Sequence, residues 1–197
     1  MLRPEVEHSR SAAYKIDSLF LNRWSPRSMS GEELADEELM SLFEAARGAP
    51  SSFNNQPWRF IYAKRNTEHW TRLLNLLYEG NRVWAKDAAA LVVVISRKTF
   101  EYDGRPSIIH QFDAGAACEN LALEASIRGI VTHGMEGFDY KKARSDLAIS
   151  DTYDVMAMIA IGKRGPRENL PPKLREKEFP NDRKPLSEIV MEDSFKE

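Results

Sequence analysis

Residues 113–128 constrain the fold of this chain more than any other stretch. Ala114, Ala117, Cys118, Leu121 and Ala125 recur at helical spacing, and Gly129 ends the segment. Small side chains dominate that face, so another backbone must lie close against it. A core helix packed on a sheet or on a partner subunit meets this requirement. The sheet's central strand is expected at residues 91–95, inside an apolar run (88–95) that is too short to cross a bilayer. Composition agrees with one soluble domain: 197 residues, 42 % hydrophobic, net charge −2. Nothing global draws the chain toward nucleic acid or an anionic membrane. Cys118 is the one cysteine, which excludes an internal disulfide and fits a reducing compartment, the cytoplasm by default. Residues 1–10 mix charges of both signs and hold no apolar signal core.

Other elements follow from capping and periodicity. Residues 36–47 read as a helix capped by Asp36, with Leu39, Leu42, Phe43 and Ala46 on one face and Gly48 and Pro50 as the stop. Residues 58–63 are aromatic and β-branched, hence a strand. Thr67 is placed to cap a second amphipathic helix bearing Trp70, Leu73, Leu74 and Leu77. Strands are expected at 130–132 and 155–161, with a helix from Asp139 to about Leu147 between them. Residues 163–184 carry four prolines and many charges, which makes them an ordered surface excursion or a flexible arm. Residues 185–190 turn apolar again, as a terminus docking back, on a neighbouring chain for instance, would. The sum is a single helix-rich α+β domain over residues 1–197, with a sheet of four or five strands.

Three segments can carry chemistry. In Arg23-Trp24-Ser25-Pro26-Arg27, alternation along an extended backbone points two guanidinium groups and a hydroxyl the same way, a grip suited to one phosphate. Taken alone, it is more simply a solvated turn. Pro50-Ser51-Ser52-Phe53-Asn54-Asn55-Gln56-Pro57-Trp58 packs hydroxyl and amide groups between two stiffening prolines, fit for a polyol chain or a ring edge, or merely for satisfying its own backbone. In Thr132-His133-Gly134-Met135-Glu136-Gly137-Phe138-Asp139, the glycines on both sides of Met135-Glu136 let the backbone approach a ligand just before a helix start, although by itself the segment is more simply a plain strand-turn-helix connection. The four histidines and Cys118 lack metal-ligand spacing, so no metal is expected. No glycine-rich phosphate loop of Walker or Rossmann type occurs. His110 and Asp113 read as a cap and a surface charge rather than an acid–base pair.

In this order and at these spacings, the three segments resemble the flavin-dependent nitroreductase family, from about Ser18 to Val190. The Ala-Pro-Ser-Ser…Asn…Gln-Pro-Trp block at 49–58 is the most specific match, and residues 115–129 and 183–190 support it. The resemblance implies an α+β fold with a central, mostly antiparallel sheet flanked by helices, in an interlocked homodimer with two FMN sites at the interface. It assigns Arg23, Trp24, Ser25 and Arg27 to the FMN phosphate and ring edge, and Arg183 to the same phosphate. Pro50, Ser51, Ser52 and Asn54 would approach FMN from the other subunit, and the backbone of Glu136 and Gly137 would face flavin N5. Phe53 falls near the substrate pocket. The pyrimidine edge of the flavin is left to one of Asn81, Arg82 or Lys86. Residues 1–17 are expected to be an N-terminal extension, and 163–197 an arm docking on the partner.

The function implied is an FMN-dependent NAD(P)H oxidoreductase working by ping-pong hydride transfer. Its acceptors would be nitroaromatics, quinones or similar small electron-poor molecules. Enone reduction, dehalogenation and non-catalytic flavin storage or sensing are the alternatives.

Overall fold

The computed structural model describes residues 1–195. Helices α1 (Pro4–Glu7), α2 (Ser18–Asn22) and α3 (Asp36–Arg47) precede strand β1 (Trp58–Lys64). Then follow α4 (Trp70–Leu74), α5 (Glu79–Ala85), β2 (Ala90–Arg97), α6 (His110–Ile127) and β3 (Ile130–Met135). Last come α7 (Tyr140–Asp146), β4 (Tyr153–Lys163), α8 (Pro172–Arg175) and α9 (Leu186–Ile189). The four strands form one antiparallel sheet in the order β1-β2-β4-β3.

The expected central strand is the true centre, and its continuous apolar run has a physical reason: β2 is covered on both faces. Leu91, Val93 and Ile95 enter one core with Trp70, Leu73, Trp84 and Met158. Val92 and Val94 alternate into the other, against Leu39, Leu42, Ala117, Leu121 and Ile161. The small-residue face of α6 lies in that second core, where Ala114, Ala117 and Ala125 let the helix settle against α3 and the sheet. A bulge follows Val94, where Met156 of β4 has no register partner.

Several boundaries differ from expectation. Asp36 is the first helical residue of α3 rather than its cap. Its carboxylate instead takes Lys64 Nζ at 2.6 Å, while Glu38 accepts the Ala35 N–H at 2.9 Å. Thr67 donates its hydroxyl to the Lys64 carbonyl and caps nothing. The helix it was expected to open spans only Trp70–Leu74, because Leu77 leaves to bridge Phe138, and α5 forms separately. Asp139 does cap α7, accepting the Lys142 N–H. His110 and Asp113 are buried and apart in role: His110 Nδ1 meets Ser96 Oγ at 3.0 Å, whereas Asp113 accepts the Ser52 N–H.

The arm divides in two. Its first half, from Lys163 to Asn181, packs on its own chain, with Leu170 and Glu178 buried. Farther along, Leu186, Ile189, Val190 and Phe195 are exposed. Among the described residues no helix is long and apolar enough to cross a membrane.

Candidate functional site

The segment 23–27 is extended, and its alternation is the one its sequence requires. Trp24, Pro26 and Ser28 are buried, while Arg23, Ser25 and Arg27 are half-buried on the other side. Two devices hold it so. Met29 bridges Arg164, with the Gly165 N–H on Ser28 O and the Ser30 N–H on Lys163 O, so the segment is stitched to the end of β4. Gly165 is required there, since a Cβ would sit 2.6 Å from the Met29 carbonyl. Beneath it, the fully buried Glu178 carboxylate accepts the backbone N–H groups of Arg27 and Ser28, and Arg164 Nη1 at 2.7 Å. A buried carboxylate is tolerated only with such partners.

Above this base opens a cavity of about 550 Å³, lined by Arg10, Arg23, Trp24, Ser25, Arg27, His133, Lys177, Phe179, Pro180, Asn181 and Arg183. Among the described residues no carboxylate lines it. Arg23 Nε is 3.2 Å from Glu119, on the exposed side of α6. The side chains of Arg27 and Lys177 have no ion pair among the described residues, and Arg183 Nη1 donates only to the carbonyls of Asn181 and Asp182. The His133 ring lies 4.7 Å from that of Trp84, tilted by 52°, and meets Pro26 O through Nδ1. Burial, then the neighbouring Arg27 charge, holds its imidazole below the ordinary value of 6.5. The result is a concave, strongly cationic site, the electrostatic form of a receptor for a multiply charged anion.

Five of the residues expected at a cofactor therefore meet in one place: Arg23, Trp24, Ser25, Arg27 and Arg183. The cavity also contains His133, from the third segment marked in the sequence, and Arg10, Lys177 and Phe179, which the sequence did not single out. Their chemistry is ordinary in isolation, and only the arm's return over β3 brings them together.

The turn at Glu136 and Gly137 continues β3 beyond His133. Gly137 O accepts both the Tyr78 N–H and Asn81 Nδ2 at 3.1 Å. A Cβ on Gly137 would stand 2.7 Å from that amide nitrogen, so a larger residue there would push the Asn81 side chain aside. The Gly137 N–H has no acceptor among the described residues. Of the three residues considered for the pyrimidine edge, Asn81 touches this turn. Arg82 pairs instead with Glu79, and Lys86 caps the end of α5.

The loop carrying Pro50, Ser51, Ser52, Phe53 and Asn54 does not line the cavity of its own chain. Ser51 Oγ accepts the Gln56 N–H, while Asn55 ties the loop to Thr99 O and the Glu101 N–H. Phe53, Asn54 and Gln56 have φ of +51°, +53° and +46°, a conformation that costs a bulky side chain about 1 kcal/mol or more. The strain turns Phe53 outward, 74 % exposed, under the guanidinium of Arg105 at 5.2 Å. The side chains of Ser52 and Asn54 make no hydrogen bond among the described residues.

The model of the nitroreductase family matches residues 21–84 and 76–163. Protein DrgA of Synechocystis sp. is 30 % identical over 187 residues, covering 81 % of this chain and 88 % of that protein. A Streptomyces coelicolor protein with the provisional name NADH dehydrogenase/NAD(P)H nitroreductase is 28 % identical over 171 residues, 76 % of this chain and 85 % of its own. A crystal structure described as an oxidoreductase containing FMN superposes with a TM-score of 0.92 at 43 % identity, covering 95 % of this chain and 96 % of the other. The agreement runs through the strands of the sheet and through the basic segment alike, and on it this protein is placed in the nitroreductase family.

Proposed function

We propose that this protein binds FMN and acts as a cytoplasmic, homodimeric NAD(P)H oxidoreductase on small electron-poor acceptors such as nitroaromatics and quinones. The cationic cavity carries the reading. Arginine forks on one side of an extended segment, faced by Arg183 and Lys177 with no lining carboxylate, suit a phosphate dianion rather than a neutral ligand. The cofactor fits the chain on a second count: the Gly137 N–H, without a protein acceptor, offers a donor further along the strand that lines the cavity. Gly137 follows His133 by four residues, at the turn just past the end of β3. The crystal structure at 43 % identity is described as containing FMN.

In this reading Arg23, Ser25, Arg27 and Arg183 hold the phosphate, and Trp24 walls the cavity. The backbone of Glu136 and Gly137 faces flavin N5, and Asn81 serves the pyrimidine edge. When bound, FMN accepts hydride from NAD(P)H and passes it to the acceptor in a ping-pong cycle. The protein's part is to fix the ring, supply the N5 donor and keep positive charge close by.

Pro50, Ser51, Ser52 and Asn54 serve the site of the partner subunit, with Phe53 at its acceptor face. The free side chains of Ser52 and Asn54 support this, as do apolar groups open to solvent: Ile108 at 94 % exposure, Phe112 at 77 %, and Ile189 and Val190 on the arm. The arm from Leu186 onward docks across that interface. Anaerobic addition of NADPH and of NADH to flavin-loaded protein tests the activity. Reduction faster than that of free FMN, followed by reoxidation with a nitroaromatic or quinone, is expected. A rate equal to that of free flavin contradicts it and leaves a storage role.

A further inference from the structure

We propose that residues 1–10 are a built part of the ligand site, with Arg10 as a positioning residue that fixes the phosphate-binding arginines from both sides of the cavity. This rests on the FMN reading, and the ligand chemistry it names is a phosphate monoester.

Arg10 lies ahead of residue 21, where the family match begins, and Asn181 and Arg183 lie beyond its end at 163. Yet Arg10 is 6 % exposed and lines the cavity. Its Nε donates to Asn181 O at 2.8 Å, and its Nη1 to Leu21 O at 3.0 Å and to Arg23 O at 2.5 Å. One planar fork thus ties the arm two residues before Arg183 to the backbone of Arg23 itself. Lysine cannot do this, because its single nitrogen cannot reach carbonyls on two segments in one rigid geometry.

The rest of the segment holds the fork in place. Arg3 N–H donates to Asn22 Oδ1 at 2.8 Å, Trp24 Nε1 donates to Glu5 at 3.0 Å, and Val6 is fully buried. Arg10 itself has no carboxylate partner among the described residues, and Nη2 has no hydrogen bond to protein. Burial, with the charges of Arg183 and then Arg23, pulls its pKa down to about 10. The protein thus keeps a buried cation, offset only in part by the charge of Asp182, in the cavity that Arg23, Arg27 and Arg183 also line. Such an arrangement is costly without a ligand and relaxed by a dianion.

The test uses the full chain as wild type, Arg10→Met and Arg10→Lys. Fluorescence titration gives the affinities for FMN and for riboflavin, which lacks the phosphate, and inorganic phosphate is assayed by thermal shift. Arg10→Met is expected to weaken FMN by about 10-fold or more and riboflavin by less than about 2-fold. Arg10→Lys should stay at least about 5-fold weaker than wild type, since charge without the fork does not restore the geometry. Equal losses for both flavins, or full rescue by lysine, overturn the proposal. If wild type binds neither flavin but is stabilised by phosphate, and Arg10→Met loses that effect, the positioning role stands and the FMN reading falls.

Discussion

Removing the Arg27 guanidinium should weaken FMN binding far more than removing that of Arg23, although the two line one cavity. In the free protein the Arg27 side chain has no ion pair among the described residues, so a bound phosphate displaces no protein acceptor. A charge-assisted hydrogen bond of this kind contributes about 2–3 kcal/mol, or about 30- to 150-fold in affinity. Arg23 already shares its charge with Glu119 at 3.2 Å. Its net gain on binding is therefore nearer 1–1.5 kcal/mol, about 5- to 10-fold. Glu119 is half-exposed and stays solvated when its partner is lost, so Arg23→Ala should barely change stability. Flavin fluorescence titration of Arg23→Ala, Arg27→Ala and the double variant measures the difference, with riboflavin as the phosphate-free control. Raised salt should narrow the gap between FMN and riboflavin. Equal losses for the two single variants would refute the charge-sharing argument. Parallel losses for riboflavin would remove the phosphate from the cavity altogether.

Other outcomes follow from single contacts. Gly165→Ala drives a Cβ onto the Met29 carbonyl, a backbone clash that no rotamer relieves. It should cost about 2 kcal/mol or more by chemical denaturation and loosen FMN through the neighbouring basic segment. Leu121→Ala empties a fully buried site between α6 and the sheet, so a loss of about 2–5 kcal/mol is expected in the same assay. The Cys118 thiol, pushed up to about 11 chiefly by burial, should react with a disulfide reagent at pH 8 only after denaturation. For His133 the native pKa lies below its unfolded value of about 6.5. Below that pH the unfolded chain takes a proton that the native site resists, so this contribution is full above pH 6.5 and is lost as pH falls toward the native pKa. Denaturation midpoints of wild type against His133→Gln should therefore diverge between pH 7 and pH 5, with the variant less sensitive to acid.

Much of the fold was legible because local signals and burial agree. The run at β2 is apolar on every residue and is covered on both faces, and the small residues of α6 meet α3 and the sheet where their spacing places them. Caps were harder to read. Asp36 and Thr67 have the right chemistry, yet a lysine from a distant strand takes the Asp36 side chain and a carbonyl three residues earlier takes that of Thr67. The basic segment was readable as an alternating strip, since side-chain direction along an extended chain needs no tertiary information. Arg10 and Lys177 were not readable, because distant parts of the chain bring them to that strip. The strain at Phe53 was also hidden: Asn55, clamped to the 99–101 segment, holds its neighbours at positive φ. That Asn81, and not Arg82 or Lys86, has its side chain against Gly137 was visible only in the fold.

The central claim is that the cavity between Arg23, Arg27 and Arg183 holds the phosphate of FMN. The most direct measurement is the visible absorbance of the purified protein after incubation with FMN and removal of free flavin by gel filtration. One flavin retained per chain, released when Arg23 and Arg27 are both replaced by alanine, is the predicted result. A protein that elutes colourless, or a double variant that retains its flavin in full, contradicts it.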